Sequence, residues 1–309
     1  MTNQQTLRNR ISCSGVGLHG GAKVSLTLHP AAPNTGIVFY RGDIRRGEPR
    51  IVALYKNVVD SALCTTIANS DGVKVATIEH LLAALHGCGI DNALVEVDGP
   101  EVPIMDGSAA PFVFLIECAG IVEQGAPREV IRVLRPVEVA AGDARARLTP
   151  ADDFSVAFEI DYDTPLIGHQ TCAMALHNGA FKSEICRART FGFEHEVEAL
   201  RARGLARGGS LDNAVVVSGA RVLNDGGLRY SDEFVRHKVL DSIGDLYLAG
   251  ARILGHFHGT RSGHALNHRL LSEMFANRKA WRREALVPSR EPAAEPEWEP
   301  SAMPVAATA

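Results

Sequence analysis

The sequence holds no two cysteines in C-x-x-C spacing; Cys13, Cys64, Cys88, Cys118, Cys172 and Cys186 are scattered singly along the chain. That pattern supports neither a disulfide framework nor a thiolate zinc site, and it favours reduced, mostly buried thiols. No apolar run approaches the ~20 residues that cross a bilayer. The longest, Pro111 to Val122, is interrupted by Glu117. The opening residues Met1 to Arg10 lack the apolar core of a secretion signal, so a cytoplasmic location is expected. A surplus of charge is also missing from most of the chain. Of 32 Lys and Arg against 36 Asp and Glu, the whole imbalance of −4 sits from Glu284 onward, where five glutamates face Arg290 alone. A neutral body argues against nucleic acid as a partner, because sequence-independent binding needs a basic face. It leaves room for a local cationic cluster that takes a small anion.

What remains is an ordinary soluble chain: 309 residues, 46% hydrophobic, enough for about two domains. Alternation over Lys23 to His29 predicts a half-buried strand, and Gly36 to Tyr40 continues the sheet after a Pro-Asn-Thr-Gly turn. From Thr77 to Leu85 the period becomes helical, with Thr77 as the expected cap and Ile78, Leu81, Leu82 and Leu85 on one face. A strand, Ala93 to Val97, and a helix, Pro111 to Ala119, follow. The same order then returns: strands at Val130 to Ala140, Ala144 to Leu148 and Phe154 to Ile160, a helix at Asp232 to Ala249, a strand at Ile253 to His258 and a closing helix from His264 to Trp281. An extra stretch, Phe191 to Val217, interrupts the second set, and insertions of that size are often functional. The expected organisation is therefore two similar α+β domains, 1–126 and 127–283, with an insertion at about 191–217 and a disordered Pro/Glu/Ala tail over 284–309.

The repeat places His80 and His237 at similar points of the two main helices. On the second helix His237, Asp241 and Asp245 recur every four residues, which stacks them along one face. A solvated acidic stripe is the plain explanation of such spacing. The flanking Val239, Leu240, Ile243 and Leu246 predict instead a helix buried over most of its girth, where carboxylates need a partner or a metal. His80, His237 and Asp241 would supply the three protein ligands of a catalytic zinc, with Glu79 beside them as a base. Ser262-Gly263-His264 opens a further helix, and Asp245 could hold that histidine protonated. Other signatures fail in context. Gly15-x-Gly17-x-x-Gly20 precedes a strand, not the helix a dinucleotide site requires, and reads as a hairpin loop. There is no H-E-x-x-H, G-x-S-x-G or P-loop.

With these residues in place, the chain resembles the zinc-dependent UDP-3-O-acyl-N-acetylglucosamine deacetylases, the enzymes of the committed step of lipid A synthesis in Gram-negative bacteria. The resemblance runs from about Leu7 to Trp281 and is carried by GVGLHGG from Gly15, TIEHLLAAL from Thr77, GIDNALVEV from Gly89, PEVPIMDGSAAPF from Pro100, RARTFGF from Arg187, GGSLDNAVV from Gly208, DEFVRHKVLDSIGDL from Asp232 and SGHALN from Ser262. It implies two domains, each a mainly antiparallel sheet with helices on one face, the helices of both meeting in the middle. It implies His80, His237 and Asp241 as zinc ligands, Glu79 as general base, and His264 as general acid oriented by Asp245. Thr190 would donate to the oxyanion, with Lys238, Phe191, Leu18 and Arg261 on the substrate side. The insertion would form an apolar passage for the 3-O-acyl chain, lined by Val197, Leu200, Gly209, Ser210, Ala214 and Val216. Three positions depart from the family pattern or vary within it: Arg261 where lysine is frequent, Glu194 at the mouth of the passage, and Cys64, whose counterpart approaches the zinc in some relatives. Relatives are also degraded through small-residue tails, so the C-terminus is expected to serve protease recognition. Competing readings are a silent nucleotide-sugar binder, against which Glu79 argues, and a zinc amidase for another acylated sugar.

Overall fold

The computed structural model describes residues 2–177 and 179–286. It is an α+β molecule with two principal sheets, one from each half of the chain. The first has five strands in the order Ile11–Val16, Lys23–Pro30, Ala93–Val97, Ile37–Arg41 and Arg50–Val52, and one of its pairings is parallel. The second has seven strands, centred on Arg252–Thr260, which pairs with Ala144–Thr149, Phe154–Asp161 and Glu129–Val133. In each half the strand that follows the main helix is thus an interior strand, which is the repeat the sequence shows. Three smaller sheets complete the described residues. Asn3–Leu7 pairs with Ile121–Pro127, Val58–Asp60 with Thr66–Ala68 and Lys74–Val75, and Phe191–Phe193 with Val215–Ser218 and Arg221–Val222.

Among the described residues five α-helices connect these sheets: α1 (Glu79–Cys88), α2 (Ala110–Ala119), α3 (Glu194–Ala202), α4 (Glu233–Tyr247) and α5 (His264–Ala276). None is long and apolar enough to cross a membrane. Leu81, Leu82, Ala83, Ala84 and Leu85 of α1 are all buried, as are Val239, Leu240, Ile243 and Leu246 of α4, because the two helices lie between the sheets and against each other. Gly89 ends α1 in a left-handed conformation at φ 82°, its N–H bonding the carbonyls of His86 and Leu85.

The crossing of α1 and α4 has a specific cause. A Cβ added at Gly244 would lie 2.0 Å from the carbonyl oxygen of Glu79, so the two backbones touch there and only glycine fits. Gly244→Ala is expected to push the helices apart and destabilise the fold at or above the top of the ~1–3 kcal/mol range for overpacking. Thermal unfolding checks this; an unchanged midpoint would contradict it.

Several expected elements shift. Thr77 does not cap α1: it adopts φ +58° and its hydroxyl donates to Glu101 Oε1 at 3.0 Å, while the position before the helix is Ile78, with no side-chain cap. The single strand expected over Val130 to Ala140 is two, Glu129–Val133 and Val137–Ala141, because Pro136 between them cannot donate to a ladder. The closing helix stops at Ala276, and Trp281–Ala285 forms an antiparallel edge strand on Glu129–Val133. Glu284, assigned to the tail, belongs to that strand and pairs with Arg132 Nε at 2.6 Å. The rest of the expected tail, with its protease-recognition role, lies from residue 287 on outside the described residues. The domain boundary expected at 126 falls within Ile121–Pro127.

Candidate active site

The helix crossing determines which groups meet. α1 presents Glu79 and His80 at its first turn, and α4 presents His237 and Asp241 on the facing side; all four are buried. The ring nitrogens of His80 and His237 and a carboxylate oxygen of Asp241 lie within 4.8 Å of one another. His80 Nε2 is 3.5 Å and His237 Nε2 3.3 Å from Asp241 Oδ1, a buried oxygen that has no hydrogen-bond partner. His237 Nδ1 lies 3.1 Å from the carbonyl of Ala188, to which it donates, leaving Nε2 with its lone pair. Burial pushes His237 down to about 3, so the imidazole is neutral. Burial opposes the charge on Asp241, but the cationic Lys238 and His264 hold it well below the usual carboxylate range. Lys238 Nζ binds the other oxygen, Oδ2, at 3.2 Å. Two imidazoles converging with a carboxylate whose buried oxygen is unpartnered fit a divalent cation.

A second cluster adjoins the first. Asp245, one turn beyond Asp241, faces α5. Its Oδ2 accepts from His264 Nδ1 at 2.8 Å and from Asn267 Nδ2 at 2.9 Å, and its Oδ1 accepts from the Thr65 hydroxyl at 2.6 Å. Burial disfavours charge on His264, but the carboxylate of Asp245 pushes it up to about 10, so the ring is an imidazolium. Burial pushes the Glu79 carboxyl up, opposed by the charge of His264, and its Oε2 accepts the N–H of Thr65 at 3.0 Å. A raised carboxylate beside a cationic imidazole is a base and acid pair.

On the His237 side of the buried cluster opens a cavity of about 410 Å³. Its wall includes Leu18, Thr190, Phe191, Val197, Leu200, Gly209, Ser210, Ala214 and Val216. Phe191 stands 6.3 Å from the His237 ring and 5.5 Å from Lys238 Nζ, so the cavity begins where the buried cluster ends. Local hydrogen bonds set that wall: Thr190 N–H bonds the carbonyl of Gly107, and Arg189 is locked to buried Glu233 by bonds of 2.8 and 3.0 Å. Glu194 lines the cavity and accepts from Ser218. The GVGLHGG segment is the hairpin loop between Ile11–Val16 and Lys23–Pro30, and Glu101 holds it by accepting the N–H groups of His19 and Gly20.

Arg261, expected on the substrate side, and Cys64, left open between the metal and the core, lie elsewhere. Arg261 is partly exposed and pairs with Asp161, outside the cavity wall. Among the described residues Cys64 does not join the His80, His237, Asp241 group. Its Sγ lies 3.9 Å from Thr66 Oγ1, and burial together with the charge of Glu79 pushes the thiol up to about 12. Thr65, Asn267 and His268 escaped sequence reasoning. The last two follow His264 by three and four positions, a spacing that was readable; Thr65 carried no signal.

A metal-competent triad joined to a carboxylate and an imidazolium, between two sheets of one chain, defines a metal-dependent hydrolase centre. Residues 4–276 match the family model described as LpxC, UDP-3-O-acyl N-acetylglycosamine deacetylase, and the chain belongs to that family. It is 54% identical over 283 residues to the UDP-3-O-acyl-N-acetylglucosamine deacetylase of Acidithiobacillus ferrooxidans, covering 91% of this chain and 92% of that one. Against the proteins of the same name from Chromohalobacter salexigens and Methylococcus capsulatus the identities are 53% and 54%, covering 91% of this chain and 93% and 92% of theirs. The resemblance read from the motifs is thereby shown.

Proposed function

We infer that this chain is a cytoplasmic, zinc-dependent deacetylase that hydrolyses the N-acetyl group of UDP-3-O-acyl-N-acetylglucosamine, releasing acetate and the free 2-amine for lipid A synthesis. The observation that carries this reading is the convergence of His80, His237 and Asp241 beside the pair Glu79 and His264. Zinc held by those three ligands would supply Lewis acidity and make water a nucleophile near neutral pH. Glu79 takes a proton from the attacking water. His264, kept cationic by Asp245, gives one to the departing amine; passage of the Glu79 proton to His264 then resets both groups, so the net change is water added across the amide. Thr190, at the cavity wall, would donate its hydroxyl to the oxyanion, and Lys238 would add positive charge there. Leu18, Phe191, Val197, Leu200, Gly209, Ser210, Ala214 and Val216 would receive the 3-O-acyl chain, since the cavity they line is more apolar than polar. Arg261 remains a candidate for the diphosphate only if it exchanges Asp161 for substrate.

The test is acetate release from UDP-3-O-acyl-N-acetylglucosamine with bound metal assayed in the same preparation. Stoichiometric zinc and turnover abolished by a chelator are expected. A substrate lacking the 3-O-acyl chain should show a raised KM. No acetate from either substrate at full metal content would refute the reading.

A further inference from the structure

Thr65 precedes the short strand Thr66–Ala68 and is fully buried. Every hydrogen-bonding group it has is engaged at the site. Its N–H goes to Glu79 Oε2 at 3.0 Å, its carbonyl accepts the N–H of Ile78 just before α1 at 3.4 Å, and its hydroxyl reaches Asp245 Oδ1 at 2.6 Å. The direction of the last bond follows from chemistry: the ionised carboxylate of Asp245 only accepts, so Thr65 donates. His268 Nε2, 2.8 Å away, must then donate to the threonine oxygen, which fixes the hydroxyl rotor. His268 Nδ1 is buried without a hydrogen-bond partner, so the ring's one bond to this cluster is through Nε2.

Glu79 stands on α1 and Asp245 on α4, in opposite halves of the chain. Among the described residues Thr65 is the one that hydrogen-bonds both. We propose that Thr65 is a positioning residue for the reaction: it registers the base Glu79 against Asp245, the carboxylate that orients His264. This rests on the deacetylase reading. Asn267 holds only the far oxygen of Asp245 and cannot perform this coupling. The hydroxyl carries the Asp245 half of the link and the backbone N–H the Glu79 half, so a valine at this position would cut one and spare the other.

In the zinc-loaded enzyme, Thr65→Val should lower kcat roughly ten- to hundredfold, the scale of a hydrogen bond to a charged group, with KM within about twofold and zinc content unchanged. Thr65→Ser, which keeps the hydroxyl, should recover most of the rate. In an Asp245→Ala background Thr65→Val should cost less than about twofold, since its partner is already gone. If the valine variant unfolds, Thr65→Ala takes its place in the same comparison. A wild-type kcat in the valine variant, no recovery with serine, or the same fractional loss in the Asp245→Ala background would overturn the proposal. A wild-type enzyme that holds zinc and releases no acetate would instead overturn the deacetylase reading beneath it.

Discussion

Glu79→Gln is expected to keep its metal and lose turnover by roughly 10²–10⁴-fold, the usual contribution of a general base. The substitution is nearly isosteric, and the glutamine carbonyl oxygen can still accept the Thr65 N–H that Glu79 Oε2 accepts at 3.0 Å. The three groups that converge as ligands, His80, His237 and Asp241, do not include Glu79, so the metal has no reason to leave. What disappears is the proton acceptor. Burial already raises the carboxyl of Glu79, and the charge of His264 opposes that rise. Zinc content and kcat measured on one preparation decide the matter. Full turnover in the glutamine variant would remove Glu79 from the role.

His237→Ala should do the opposite and lose the metal itself. Its Nε2 is one of the converging atoms, and its Nδ1 is anchored on the Ala188 carbonyl at 3.1 Å, so alanine removes both a ligand and the bond that orients it. The drop in zinc affinity should exceed the ten- to hundredfold cost of losing an outer hydrogen-bond partner of a ligand, and activity should fall with occupancy. Titration with excess zinc gives the check. The two variants therefore separate by metal content, and equal zinc with normal activity in both would sink the whole assignment of roles.

How much of this was legible in the chain depends on periodicity. The i, i+4 series His237, Asp241, Asp245 was readable because a regular helix has one geometry, and its buried flanks excluded a solvated stripe. The structure adds that the three do not serve one cluster: His237 and Asp241 face His80, whereas Asp245 faces α5 and His264. That division depends on where α1 and α5 lie, which no local pattern encodes. Thr65 was invisible for a related reason. It sits beside a three-residue strand, too short to show alternation, and its importance comes from partners 14 and 180 positions away. Thr77 misled because threonine before a helix is a common cap, and only the tertiary bond to Glu101 explains its left-handed backbone. The ends of the closing helix and of the tail were missed together. The strand Trp281–Ala285 is an edge strand with exposed arginines, and its composition does not distinguish it from a polar linker.

The meeting of Gly244 with the Glu79 carbonyl has a consequence for how this centre tolerates change. Most distances between parts of a protein are set by the bulk of intervening side chains, and they drift as those side chains are exchanged. Here the gauge is main chain on main chain, with nothing between to be altered. Substitutions elsewhere in either sheet can reshape the surrounding core while the base keeps its separation from Asp241 and Asp245, three residues before Gly244 and one after it. The contact works as a fixed datum from which the rest of the molecule is free to vary.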